Sequence, residues 1–265
     1  MSSWLAMIDR PRLEQICREA GHIALRQWPG HGHALESWTK EGDQSPVCAA
    51  DLEVDAFLRR ELCALLPSAG WLSEESVDHP ERLARGLCWL VDPIDGTRDY
   101  IRGRKGWAVS VALISAGRPL IGTLVAPARD ETWSATAGQG AWRNGHRLQA
   151  STRRQLAGAR VPADTLPPED GDLAMVEKPN SIALRIAMVA AGEADLVATL
   201  RWGFEWDIAA AALIASEAGA VITGALGQPL AFNTANGAAF GVLAAAPGIH
   251  AAAVERLRER ALAVV

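Results

Sequence analysis

The residues with the clearest chemical potential are Asp92-Pro93-Ile94-Asp95-Gly96-Thr97, directly after the apolar run Trp89-Leu90-Val91. An apolar strand ending this way delivers two carboxylates to one strand end, where Pro93 stiffens the chain and Gly96 allows an unusual φ. Two acids this close repel each other unless a cation lies between them. Hard oxygen donors with no neighbouring His or Cys suit Mg²⁺ or Mn²⁺ rather than zinc. Read alone, Asp92 and Asp95 also fit a turn, where Asp and Gly are common. Two further acidic groups strengthen the metal reading: Glu74-Glu75 after Gly70-Trp71-Leu72, and Asp207 ahead of Ile208-Ala209-Ala210-Ala211-Ala212-Leu213. By itself Asp207 reads as a helix N-cap.

Elements must carry these residues. Leu13, Ile16, Cys17, Ala20, Ile23 and Ala24 recur at helical spacing and predict a helix from Pro11 to about Trp28. A second helix is expected from about Asp51 to Leu66, closed by Pro67. The polar, Gly- and His-rich stretch from Gly30 to Pro46 reads as a mobile loop. Trp89 to Val91, Trp107 to Ile114, Leu120 to Ala126 and Glu131 to Ala137 then read as an antiparallel meander, with Asn144-Gly145 as a two-residue hairpin turn. Ser151 to Asp172, with Pro162, Pro167 and Pro168, is the expected boundary between an N-terminal half, 1–150, and a C-terminal half, 151–265. In the second half helices are expected at Ser181 to Ala191, Asp207 to Ala218 and Ile249 to Ala263. Strands are expected at Asp195 to Thr199, Val221 to Thr223 and Phe240 to Ala245.

The 265 residues carry a formal net charge of −5, which argues against nucleic acid as a partner. Four scattered cysteines, Cys17, Cys48, Cys63 and Cys88, suggest neither a zinc cluster nor a disulfide framework. With no long apolar segment and no basic-then-apolar N-terminus, no membrane association is expected and a soluble, cytoplasmic protein is.

Three segments in order resemble the signatures of the inositol monophosphatase superfamily of metal-dependent, lithium-sensitive phosphatases. They are Trp71-Leu72-Ser73-Glu74-Glu75-Ser76, Trp89 through Thr97, and Glu205-Trp206-Asp207-Ile208-Ala209-Ala210 running to Glu217-Ala218-Gly219. Gly138-Gln139-Gly140-Ala141 with Asn144-Gly145 extends the resemblance over almost the whole chain. The resemblance implies an α+β or α/β layered sandwich (αβαβα), with an antiparallel sheet in the N-terminal half and a smaller α/β C-terminal half. It implies that Glu74, Asp92, Asp95, Asp207 and the Ile94 carbonyl bind two or three Mg²⁺ ions, with Mn²⁺ as a substitute. It also implies catalytic roles for Thr97, Asp51 and Glu74, with Asp51 pairing with the Thr97 hydroxyl near the nucleophilic water. One ion would lower the pKa of its water and another would neutralise the leaving oxygen. Expected substrate contacts are Asp95, Gly96, Thr97, Ser181, Arg185 and Asp207, with Gly96 and Thr97 offering backbone N–H groups if a helix begins there. Lys40 matches a family lysine near the metals. A homodimer is common in the family.

Two positions depart from the pattern: Ser73 replaces a usual Gly, and Ala220 follows Gly219 where a second Gly is common. The substrate implied is a small phosphate monoester. Arg98-Asp99-Tyr100 resembles bacterial bisphosphate nucleotidases more than inositol phosphatases, and Leu200 stands where animal inositol phosphatases place a Glu for inositol hydroxyls. A second phosphate could be met by Arg98, Arg102, Arg104, Lys105, Lys178, Arg185 or Arg201. Trp202 or Phe204 could stack on a base, although core packing is the more ordinary use of either. The reading therefore leans to a 3′(2′),5′-bisphosphate nucleotidase. Inositol monophosphatase is the alternative, followed by histidinol-phosphatase, fructose 1,6-bisphosphatase or a non-catalytic binding protein of the same fold.

Overall fold

A computed structural model describes residues 8–32, 37–39 and 46–265. Lys40 lies outside the described residues. The chain begins with α1 (Arg10–Gln27), β1 (Ser37–Thr39), β2 (Pro46–Cys48) and α2 (Ala49–Leu65). There follow β3 (Gly70–Ser73), β4 (Leu87–Asp95), α3 (Thr97–Ile101), β5 (Ala108–Ser115), β6 (Arg118–Ala126), β7 (Glu131–Thr136), β8 (Ala141–Arg143) and β9 (His146–Arg147). The remainder is β10 (Arg160–Pro162), β11 (Ala174–Val176), α4 (Ile182–Ala190), β12 (Leu196–Phe204), α5 (Glu205–Glu217), β13 (Val221–Thr223), β14 (Ala238–Ala245) and α6 (His250–Leu262).

Strands β3 to β9 form one seven-stranded sheet in sequence order, with β3 and β4 parallel and the remaining neighbours antiparallel. β4 is buried along its whole length, so both its faces are apolar and its side chains alternate between two cores. Trp89 and Val91 pack with α1 and α2, whereas Cys88 and Leu90 pack with α4 and α5. The same alternation recurs in the second sheet, whose order is β12-β14-β13. There Val197, Val242 and Ala244 face the α4–α5 layer, while Leu196, Leu243 and Ala245 face α6. The result is the expected αβαβα sandwich.

Local signals explain the boundaries. Asp9 caps α1 by accepting from the Arg12 N–H at 3.0 Å. Asn144 and Gly145 both have positive φ, 50° and 79°, as a tight hairpin turn demands. Asp51 is the third residue of α2, and its carboxylate accepts from the Cys48 N–H at 2.8 Å. Cys17, Cys48 and Cys88 are buried free thiols, and Cys63 is half-buried.

Some expectations need correction. The stretch read as a loop from Gly30 to Pro46 contains a strand, and Trp38 and Thr39 pair with Val47 and Pro46. The β-prone Trp38 and Val47 outweigh the surrounding Gly and His. The boundary segment includes β10, paired in parallel with β11. β12 continues past Thr199 to Phe204 through an irregularity between Thr199 and Trp202, and the C-terminal sheet is antiparallel throughout.

Candidate active site

Asp92 and Asp95 reach the site because β4 does not end cleanly. Its register against β5 slips between Asp92 and Asp95, so Pro93 and Ile94 form the bulge in which a strand proline is tolerated. The Asp92 carboxylate accepts from the Ile94 N–H at 2.9 Å, and the Thr97 hydroxyl donates to the Ile94 carbonyl at 3.0 Å. Gly96 turns the chain with φ 97°, and a Cβ there would lie 2.6 Å from the Gly106 carbonyl. Only glycine fits this position. The helix that follows spans five residues, too short for helix-dipole support of an anion to carry weight.

Glu74 arrives from the neighbouring strand. Ser73 lies opposite Val91 in the parallel β3–β4 register, and the Glu74 N–H donates to the Val91 carbonyl at 3.3 Å, which sets Glu74 beside Asp92. Asp207 comes from the first turn of α5, where it accepts from the Phe204 N–H at 3.3 Å. The N-cap reading of Asp207 needs correction: Phe204 is the N-cap residue, and Asp207 is the third residue of the helix, its carboxylate reaching back to the Phe204 N–H.

Asp95 is the most heavily supported of these acids. It accepts the Ser181 hydroxyl at 2.5 Å, the Ala183 N–H at 2.7 Å and the Ile182 N–H at 3.3 Å. Ser181 is fully buried and also caps α4. It thus reaches the cavity through Asp95 rather than by its own exposed surface. Asp99 and Tyr100 also prove to be scaffold: Asp99 accepts the Asn180 N–H at 3.0 Å, and the buried Tyr100 hydroxyl donates to the Ala24 carbonyl at 2.7 Å.

Electrostatics show what this arrangement lacks. Burial, then the charges of Glu74, Asp95, Asp207 and Asp51, push the Asp92 carboxyl well above its ordinary range. Burial, then Asp95 and Glu74, do the same to Asp207, against the Phe204 N–H and Arg201. Burial raises Asp95 to about 6 despite its hydrogen bonds and the pull of Arg185. Among the described residues no Lys or Arg forms an ion pair with Asp92, Asp95 or Asp207. Nor do three acidic, His or Cys side chains among them close on a single point at metal-binding spacing. Asp92, Asp95 and Asp207 are each held by backbone or hydroxyl donors, Glu74 lies beside Asp92, and this all-oxygen donor set fits a hard divalent cation.

Glu74, Asp95, Gly96, Thr97 and Asp207 line one cavity of about 410 Å³. Arg98, Lys178, Arg185 and Arg201 line the same cavity. Arg185 is half-buried, its guanidinium donating to the Ser181 and Asn180 carbonyls at 3.3 and 3.2 Å. Lys178 pairs with the exposed Asp164 at 2.6 Å. Leu200 lines a different cavity, with Leu196, Ala198 and Leu257. Trp202 and Phe204, read chiefly as core, are 58% and 39% exposed. Trp202 packs edge-on against Phe240, and Phe204 stacks on Trp206. Both line a cleft that shares Arg201 and Asp207 with the acidic cavity.

The sequence pattern of the inositol monophosphatase family matches residues 11–263. The chain belongs to that family. Similar proteins include the 3′(2′),5′-bisphosphate nucleotidase CysQ of Escherichia coli K12, 31% identical over 237 residues, covering 83% of this chain and 94% of the relative. The fructose-1,6-bisphosphatase/inositol-1-monophosphatase of Thermotoga maritima is 30% identical over 218 residues, 79% and 82% of the two chains. Nus factor SuhB of Salmonella typhimurium LT2 is 31% identical over 229 residues, again 79% and 82%. Among solved structures, an inositol monophosphatase from Thermotoga maritima has a TM-score of 0.81 at 26% identity, covering 95% of this chain and 98% of its own. Family membership makes the chain a phosphatase of this superfamily, whose members are generally metal-dependent. Among the described residues no helix is long and apolar enough to cross a membrane.

Sequence reasoning missed Asp55, which accepts the hydroxyls flanking Glu74-Glu75. The available signal was its spacing of four from Asp51, which puts both acids on one face of α2.

Proposed function

We propose that this protein is a Mg²⁺-dependent phosphomonoesterase acting on a small substrate with two phosphate groups, of the 3′(2′),5′-bisphosphate nucleotide type. The observation that carries this reading is the cavity in which Glu74, Asp95 and Asp207 share walls with Lys178, Arg185 and Arg201. Acids suit cations, and the basic side chains suit a phosphate beyond the one being cleaved.

Glu74, Asp92, Asp95, Asp207 and the Ile94 carbonyl would hold two or three Mg²⁺ ions, or Mn²⁺ in their place. Bound Mg²⁺ would supply charge neutralisation and a more acidic water. The chain's own groups do the rest. Ser181 and the α4 N–H groups fix the Asp95 carboxylate. Gly96 and Thr97 abut the scissile phosphate, while the Thr97 hydroxyl helps to orient the attacking water and the Asp51 carboxylate takes its proton. As the water oxygen bonds to phosphorus, the bond to the ester oxygen breaks and that oxygen takes a proton from a solvent water. Arg185, with Lys178 and Arg201, pairs with the second phosphate. The exposed face of Trp202 offers a stacking surface for a base.

Halves 1–150 and 151–265 would move relative to one another around this site, gating metal and product. The same reading carries lithium inhibition, a homodimer and a cytoplasmic location as expectations. An inositol monophosphate is the second candidate. Leu200 weighs against it, because this apolar side chain, in a cavity that shares Lys178 and Arg185 with the acidic one, stands where a carboxylate for inositol hydroxyls would be needed. The presence of all the expected acids weighs against a purely non-catalytic binding protein.

The test compares kcat/KM for phosphate release, with and without Mg²⁺, from 3′-phosphoadenosine 5′-phosphate, inositol 1-phosphate, histidinol phosphate and fructose 1,6-bisphosphate. A lead of about 100-fold or more for the bisphosphate nucleotide is expected, as two charge-assisted contacts and a stacked base together allow. A lead for inositol 1-phosphate would overturn the substrate reading, and no Mg²⁺-dependent release from any of the four would overturn the metal-dependent phosphatase.

A further inference from the structure

The Ser73 side chain is buried. Its hydroxyl donates to one oxygen of Asp55 at 2.5 Å, and the Ser76 hydroxyl donates to the other at 2.6 Å. The Glu75 N–H returns to the Ser73 oxygen at 3.4 Å. One carboxylate therefore grips both ends of the segment Ser73-Glu74-Glu75-Ser76. Asp55 is itself 7% exposed and sits one helical turn beyond Asp51 on α2, so the anchor is a rigid, packed element.

This matters because Glu74 lies beside Asp92 and adds to the charge that raises it, so where its backbone is held decides how the two carboxylates meet a cation. A loop that swings away must be re-ordered each time the acidic group closes on a cation, and that ordering is subtracted from the binding free energy. A loop held at both ends has already met this cost. The Glu74 N–H on the Val91 carbonyl is a third tie, so the segment is fixed at its two flanks and at its centre.

We propose that Asp55 is a positioning residue that, through the hydroxyls of Ser73 and Ser76, holds Glu74 in place for divalent cation binding. The inference rests on the metal reading above.

Mn²⁺ binding to the metal-free full-length protein, followed by the electron paramagnetic resonance signal of free Mn²⁺, tests it directly. Asp55→Ala is expected to weaken Mn²⁺ binding about 10-fold and Ser76→Ala about 3-fold, the range of hydrogen bonds to a charged acceptor. Ser73→Ala/Ser76→Ala should match Asp55→Ala within about 2-fold, and adding Asp55→Ala to that pair should cost nothing more, because all three changes remove one bracket. Asp195→Asn, which weakens the fold far from this loop, should leave Mn²⁺ affinity unchanged, so that loss of stability is not mistaken for loss of positioning. If Asp55→Ala does not fold, Ser76→Ala and Ser73→Gly carry the same test. Mn²⁺ affinity unchanged in the folded variants would overturn the inference alone. A wild-type protein that binds no Mn²⁺ would overturn the metal reading, and this inference with it.

Discussion

Two buried acidic regions of this protein behave in opposite ways. Asp195, 1% exposed between the second sheet and β10, is opposed by burial, yet hydrogen bonds from Arg160 and Ser151 outweigh it and hold the carboxyl below its ordinary range. The Ser151 hydroxyl lies at 2.6 Å, and the Arg160 backbone and guanidinium each lie at 2.9 Å. Asp92, Asp95 and Asp207 are opposed by burial too; acidic neighbours add to it at Asp92 and Asp207, while at Asp95 burial outweighs its hydrogen bonds and Arg185, and all three are raised. The fold can evidently build a buried carboxylate with its own internal cation. Where it gathers several and, among the described residues, ion-pairs no Lys or Arg with Asp92, Asp95 or Asp207, a cation is expected from outside the chain.

That contrast can be broken most sharply at Asp92 or Asp95. Asp92→Asn and Asp95→Asn are each expected to lower Mg²⁺-dependent phosphate release by about 10³-fold or more, since removing a metal-site charge strikes the transition state directly. Their circular dichroism should be unchanged, because neutralising one acid relieves repulsion in the metal-free fold. At the other region the expectation reverses. Asp195→Asn should cost about 2 kcal/mol of stability in urea unfolding, discounted from a fully buried pair because Arg160 is partly exposed, and leave the Mg²⁺ half-saturation unchanged.

The sequence made the first region far more legible than the second. Asp92-Pro93-Ile94-Asp95-Gly96-Thr97 announces a strand end, a bulge and a turn through residue types alone, and its apolar lead-in fixes β4. Helices α1 and α2 were legible within a few residues because their apolar spacing runs for four or five turns. Asp195 gives no such sign, because its partners Ser151 and Arg160 are distant in sequence and meet only when β10 and β12 come together. Asp55 was hidden similarly, since an acid within a helix resembles a solvated charge until the loop bearing Ser73 and Ser76 folds over it. Trp202 and Phe204 misled for the opposite reason. Large aromatics usually pack inside, but the irregularity in β12 between Thr199 and Trp202 leaves both partly in solvent.

Two smaller effects sharpen the comparison. Trp202→Ala is expected to reduce kcat/KM for 3′-phosphoadenosine 5′-phosphate about 10-fold, the worth of one stacked base, with little change for fructose 1,6-bisphosphate, which has no base. Equal losses on both substrates would remove Trp202 from base recognition. The smallest effect lies in the metal-free protein. An acid raised from 3.8 to about 6, as Asp95 is, favours the protonated folded state, so its contribution is fully present below pH 3.8 and lost as pH rises through about 6. The metal-free protein should therefore lose of order 1 kcal/mol across that window, seen as a falling Tm, and Mg²⁺ should restore most of it. Asp195, depressed rather than raised, should contribute the opposite slope at lower pH, and Asp195→Asn should remove it.

Proton release during Mg²⁺ titration of the metal-free protein, measured near pH 6 in an unbuffered cell, tests the central claim most directly. If the raised carboxyls are a cation site waiting for its charge, each saturating titration must expel protons, and Asp92→Asn must abolish most of that release while Asp195→Asn leaves it intact. Saturable Mg²⁺ binding without proton release, or release that persists unchanged in Asp92→Asn, would contradict the account.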